Sequence, residues 1–270
     1  MKTNEQSISS PKIMRTVKEL RVIFEMLAMV SMRSRLNSVV KGDGHPVVVA
    51  PSFMTGDGGT AALRTFLRGA GYAAYGWEQG RNTGMQESVY LAYEAHVKDV
   101  AARHGRKVSL IGWSLGGIYA RTLANKHPEI IRQVITLGSP IHIPDVTGVT
   151  GPVLKLYEMM NPRGMEDPML TWGDCWRAVP SVPSTAMYSE SDGIVEWDLC
   201  VDKELNEHTE NLRVPGSHVG LTHNVSVMYA LSDRLGQRED QWRPFNLSGL
   251  RSRMFGRAPI APRALVAVPA

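Results

Sequence analysis

The sequence predicts an α/β fold, a mostly parallel sheet of about six strands with helices on both faces. Three observations carry this. From His45 onward, short β-branched or apolar runs alternate with longer stretches of helical period. Parallel strands need crossovers, and the crossovers must pack against the sheet, so such alternation implies a covered parallel sheet. A chain of 270 residues with 43% hydrophobic and 21% charged residues is long and apolar enough to bury a sizeable core, and it has no apolar run of membrane-spanning length.

Residues 1–11 are polar and read as loose. Lys12 to Leu36 reads as an amphipathic helix with Ile13, Val17, Leu20, Phe24 and Leu27 on one face, so residues 1–43 form a segment ahead of the main domain. Pro46 to Ala50 is the first strand. A Gly-rich loop, Thr55 to Gly59, then opens a helix through Leu63, Phe66 and Leu67 that stops at Gly69 to Gly71. Tyr72 to Trp77 reads as a strand, Gln86 to His104 as a long helix and Val108 to Gly112 as a strand. Leu115 to Lys126 is a helix ended by Pro128, and Val134 to Leu137 is the fourth strand. Between about 141 and 183 the alternation fails. Six prolines from Pro144 to Pro183 limit regular structure, while Leu154, Leu156, Met159, Met160, Met165, Met169, Trp172 and Trp176 supply apolar bulk, which reads as an inserted cap. Alternation resumes with a strand at Thr185 to Ser189, a helix after Val195, a strand at Asn211 to Val214 and a helix from Asn224 to Leu235. The main domain therefore spans 44–245, and residues 246–270, rich in Arg, Pro and Ala without period, read as a disordered tail.

Residues 1–41 carry eight Lys or Arg against three acids, and residues 243–270 carry five Arg and no acid. The two ends thus hold +10 of a net +4, leaving −6 for the middle. A nucleic-acid enzyme would place basic charge over its working surface, so nucleic-acid partners and polyanionic substrates are not expected. Val22 to Met32 approaches a secretory signal but is interrupted by Glu25 and followed by no small-residue cleavage site, which favours a cytoplasmic location. A basic amphipathic helix can also lie on a lipid surface; that reading stays open beside a helix packed across the domain. Cys175 and Cys200 flank the expected acid strand and would tie down the cap if oxidised, or remain thiols in a reducing compartment. No phosphate loop, dinucleotide fingerprint or metal-ligand cluster is present, so no cofactor is expected.

Chemistry concentrates at Gly112-Trp113-Ser114-Leu115-Gly116-Gly117, a G-x-S-x-G motif between a buried strand and a helix. A serine in a sharp strand-to-helix turn is strained and needs small neighbours. The turn exposes its hydroxyl above the strand ends, with a helix N-terminus behind it to meet developing negative charge. A serine hydroxyl needs a base, and the base an acid, downstream in the order acid then base. His218 lies in a glycine-flanked loop after a strand and is the expected base. His208 precedes that strand, and His223 begins the next helix and is the fallback. Asp192, in the polar turn after the strand ending near Ser189, is the expected acid. Glu190 reads as a bracing or solvent-facing competitor and Asp198 as a solvated charge. The loop after the first strand, Ala50-Pro51-Ser52-Phe53-Met54, should supply the second oxyanion donor: Phe53 with Leu115, or Met54 one residue later. Gly80 to Gly84 reads either as pocket lining or as an ordinary turn.

These motifs, together with Leu137-Gly138-Ser139-Pro140, resemble the α/β-hydrolase superfamily, in particular bacterial lipases and carboxylesterases, over roughly Gly44 to Phe245. Family lipases often carry His-Gly at the oxyanion turn and His before the nucleophile, where this chain has Pro51-Ser52 and Trp113. The resemblance implies that Pro46 to Ala50 corresponds to the third family strand, with the helical segment Lys12 to Leu36 in place of an initial hairpin. The expectation is a cofactor-free serine hydrolase for esters with apolar acyl or alcohol parts. Acyl transfer or thioester cleavage on the same triad, and a non-catalytic small-ligand-binding protein, are the alternatives.

Overall fold

The computed structural model describes residues 22–28, 31, 42–142, 151–161 and 173–258. The strands are β1 (Pro46–Ala50), β2 (Ala73–Tyr75), β3 (Val108–Trp113), β4 (Ile131–Leu137), β5 (Ser184–Tyr188), β6 (Thr209–Arg213) and β7 (Gly256–Arg257). They form one sheet in the order β2-β1-β3-β4-β5-β6-β7, parallel except for the antiparallel β6–β7 edge.

Period-two alternation sends neighbouring strand residues to opposite faces. Val47 and Val49 of β1 join Ile111 of β3 and Ile135 of β4 against α1 (Ala61–Gly69), through Leu63, Phe66 and Leu67. On the other face Val48, Leu110 and Val134 meet α2 (Glu87–His104) and α3 (Leu115–Lys126) through Tyr93, Val97, Ile118 and Tyr119. Helix α2 stops where Gly105 turns left-handed at φ 56°. The cap contributes α4 (Gly151–Met160) and α5 (Gly173–Arg177). Arg121 of α3 holds the base of the cap: its buried guanidinium donates to the carbonyls of Trp176 and Ala178 and pairs with buried Asp202 at 2.7 Å. Helix α6 (Val225–Leu235) is capped by Asn224, whose side chain accepts from the Ser226 and Val227 amides.

The structure departs from expectation in four places. The stretch after Val195 is a four-residue 3-10 turn, Trp197–Cys200, where a helix was expected. Strand β4 begins three residues earlier, at Ile131. In the cap, α4 runs unbroken for ten residues because no proline falls between Pro152 and Pro162; Met165, Met169 and Trp172 lie outside the described residues. The largest correction is at the C-terminus. Residues 246–258 are ordered, with α7 (Arg251–Met254) leading into β7 as a seventh strand. Phe245 and Phe255 are buried with ring centroids 4.8 Å apart, and Tyr229 of α6 stacks on Phe255 at 6.0 Å. Two aromatics ten residues apart show no helical or strand period, yet each buries a large apolar area. Of the N-terminal helix, residues 22–28 and 31 are described and helical. Among the described residues no helix is long and apolar enough to cross a membrane.

Candidate active site

The chain leaves β1 toward β2 on one side and later returns to β3 on the other, so the strand order reverses between β1 and β3. Such a switch point opens a crevice at the carboxyl ends of the strands. The loop after β1, Pro51 to Thr55, and the turn after β3, at Ser114, both lie at this edge.

Ser114 has φ 52° and ψ −121°, a left-handed conformation that strains a residue with a side chain. It is held there by its own N–H donating to Leu137 O at 2.9 Å and its carbonyl accepting from Gly117 N at 2.9 Å. The flanking glycines are sterically required. A Cβ on Gly112 would stand 2.2 Å from Gly117 Cα, and one on Gly116 would stand 2.4 Å from Ala50 O. Leu115 begins α3 directly behind the hydroxyl, so its amide belongs to the first-turn donors with no intrahelical acceptor.

Asp192 follows β5. Its Oδ1 accepts from the Ile194 and Val195 amides, both at 2.8 Å, and its Oδ2 faces His218 Nδ1 at 2.6 Å. Both side chains are buried. A carboxylate accepting from Nδ1–H leaves the lone pair of a neutral imidazole on Nε2. Three further contacts fix the histidine loop. The hydroxyls of Ser189 and Ser191 donate to Gly216 O at 2.6 and 3.0 Å, and the Trp113 indole donates to His218 O at 3.1 Å. Trp113 thus ties the Ser114 turn to the His218 backbone.

The competing residues stand apart. Glu190 is exposed and reaches Arg213 at 3.4 Å, and Asp198 is exposed. His208 precedes β6, at the opposite edge of the sheet. His223 lies 2.9 Å from Thr222 Oγ1, and burial pushes its pKa below the usual imidazole value.

The loop after β1 is organised by Asn82. Its backbone carbonyl accepts from Met54 N at 2.6 Å, its N–H donates to Thr55 O at 2.8 Å and its Nδ2 donates to Pro51 O at 2.8 Å. Met54 therefore spends its amide on Asn82. The amide of Phe53 finds no acceptor among the described residues. The sequence left Gly80 to Gly84 as pocket lining or turn; an asparagine in a glycine-bounded loop does not reveal which backbone it will brace. Residues 151–161 pack on the loops after β1 and β2, with the Tyr157 and Phe53 rings 5.2 Å apart and Asn161 Nδ2 donating to Thr83 O at 2.9 Å.

The family described as a PGAP1-like α/β domain matches residues 87–169. Among solved structures, the monoacylglycerol lipase of Paleococcus ferrophilus matches with a TM-score of 0.52 at 14% identity, over 73% of this chain and 95% of that one. The chain has the α/β-hydrolase fold. Similar matches are a metagenome-derived lipolytic enzyme from work on LipS and LipT (TM-score 0.51, 15% identity, 73% and 94% coverage) and the pyrethroid hydrolase PytH (0.51, 14%, 73% and 99%). No curated protein matches the chain by sequence.

Elsewhere in this α/β-hydrolase fold a hydrogen-bonded Ser-His-Asp chain shows why residue types alone do not make a site. At the amino-terminal edge of the sheet His45 Nδ1 faces Asp43 Oδ1 at 2.5 Å and Nε2 faces Ser109 Oγ at 3.0 Å. Ser109 lies within β3 and is fully buried, so no substrate reaches it, and the trio braces β1 against β3. Burial holds the His45 pKa down to about 4, against the opposing hydrogen bond that its ring donates to Asp43. A folded pKa below the unfolded one costs stability as pH falls, because the unfolded chain binds the proton first. Between near-neutral pH and about pH 4.5 the wild type should therefore lose about 2–3 kcal/mol that a His45→Gln variant does not. Denaturant titrations of both proteins across that range check it, and a stability gap independent of pH would contradict it.

Cys175 and Cys200 are free thiols, and burial raises the Cys200 pKa. Among the described residues no group of His, Cys, Asp and Glu is arranged to hold a metal ion.

Proposed function

We propose that this hydrolase cleaves carboxylic esters bearing apolar acyl or alcohol groups through an acyl-enzyme on Ser114. The observation that carries the reading is the buried Asp192–His218 pair at the same strand edge as the strained Ser114 turn. Ser114 Oγ attacks the ester carbonyl while His218 Nε2 accepts its proton, and Asp192 stabilises the resulting imidazolium. The tetrahedral oxyanion is met by the Phe53 and Leu115 amides. As the C–O bond breaks, His218 returns the proton to the departing alkoxide and the acyl group stays on Ser114. Water then attacks, giving its proton to His218, and the acid leaves as Ser114 is reprotonated.

Acyl transfer or thioester cleavage would use the same groups and differ in what attacks or leaves. Hydrolysis of apolar esters is favoured by the apolar ceiling that Tyr157 and Phe53 form over the oxyanion turn. Each substrate methylene buried there should contribute about 0.8 kcal/mol, or about fourfold in kcat/KM at full transfer. In a p-nitrophenyl series from acetate to palmitate, kcat/KM should rise through the short members and then level. A steady fall from acetate onward would contradict the apolar cap. A jump in rate above the substrate's solubility limit would mark a lipase, and none an esterase.

A further inference from the structure

Glu25 reaches from the N-terminal helical stretch onto the loop that carries His218. Its Oε1 accepts from the Ser217 amide at 3.0 Å and lies 3.5 Å from Asn224 Nδ2, and its Oε2 accepts from Ser217 Oγ–H at 2.8 Å. Ser217 Oγ in turn accepts from the Gly220 amide at 3.1 Å. The loop leaves room for the carboxylate at Gly220, where a Cβ would fall on Glu25 Oε2. Apolar burial does not explain the contact. Ile23, Phe24 and Leu27 on the same stretch are 59%, 75% and 63% exposed, whereas Glu25 is partly buried against the loop.

Resting on the hydrolase reading above, we propose that Glu25 is a positioning residue for His218. By clamping both donors of Ser217 it fixes the backbone immediately before the histidine and opposes the hold that Ser189, Ser191 and Trp113 exert on Gly216 and His218 from the other side. The base is then held in register with Ser114 from two elements far apart in sequence, and a small displacement of a catalytic group lowers turnover steeply. A charged-group hydrogen bond to a backbone amide is the strong kind that can fix a loop.

The test uses the full chain and a soluble p-nitrophenyl ester, with Ser114→Ala as the blank and thermal melts on every variant. Glu25→Ala should lower kcat about tenfold or more with KM nearly unchanged, since the misplaced group acts on chemistry and not on substrate binding. Glu25→Gln keeps an acceptor for the Ser217 amide and should retain activity within about threefold of wild type. Ser217→Ala removes the hydroxyl contact and keeps the amide one, so its loss in kcat should lie between those of Glu25→Gln and Glu25→Ala, and in the double variant it should add little to Glu25→Ala, where the hydroxyl contact to the carboxylate is already gone. Phe24→Ser, on the same stretch but facing solvent, should leave kcat unchanged. Wild-type kcat in Glu25→Ala, equal losses in Glu25→Ala and Phe24→Ser, or multiplicative losses in the double variant would overturn the proposal. If Glu25→Ala does not fold, Glu25→Gln and Ser217→Ala carry the same comparison. Activity remaining in Ser114→Ala would remove the hydrolase reading as well; a dead Ser114→Ala beside a fully active Glu25→Ala removes this proposal alone.

Discussion

Replacing Ser114 with alanine should leave the fold unchanged by circular dichroism and lower ester hydrolysis by about 10³-fold or more. Alanine keeps the backbone demand of the turn, so the loss would report the hydroxyl and not the geometry. Ser114→Gly separates the two. Glycine accepts φ 52° without strain, so this variant should be equally inactive yet more stable than Ser114→Ala, by about 1 kcal/mol. Thermal melts of the pair measure the difference. Stability identical in the two variants would mean that the turn stores no strain at this residue, and a tenth of wild-type activity in either would remove Ser114 from the mechanism.

The second large effect is expected at the acid–base pair. His218→Ala should fall about as far as Ser114→Ala, whereas His223→Ala should keep most of its activity, since Asp192 faces His218 and not His223. Asp192→Asn discriminates more finely. Its Oδ1 can still accept from the Ile194 and Val195 amides, which turns the amide NH₂ toward His218 Nδ1. Nδ1 must then accept, the proton sits on Nε2, and the imidazole cannot take the serine proton; a loss of about 10³- to 10⁴-fold in kcat with little change in stability follows. A dead His223→Ala beside an active His218→Ala would place the base five residues downstream.

Much of this arrangement is legible in the sequence because local chemistry dictates it. A serine between glycines at a strand-to-helix boundary, an Asp-Gly turn after a strand and a histidine in a glycine-flanked loop each announce themselves within a few residues. The strand and helix alternation that orders them does the same. What was not legible depends on contacts between distant segments. Glu25 reads as a charge interrupting an apolar helix face, and only the folded chain brings it to Ser217. Asn82 is one polar residue in a turn until Pro51, Met54 and Thr55 are seen hydrogen-bonded to it. Phe245 and Phe255 order a stretch whose arginines and prolines suggest disorder, because two aromatics and Tyr229 outweigh the local composition. Arg121 and Asp202, buried as a pair 81 residues apart, leave no local trace either.

The most direct measurement is reaction of the full chain with a fluorophosphonate ester, followed by mass spectrometry of the intact protein and its peptides. Phosphonylation needs a nucleophilic hydroxyl, a base to take its proton and donors for the developing oxyanion, so it reads the whole constellation without assuming a substrate. One adduct per chain is expected, on Ser114, formed rapidly in the wild type, slowed in His218→Ala and absent in Ser114→Ala. A folded wild type that stays unlabelled, or an adduct on any other residue, would contradict it.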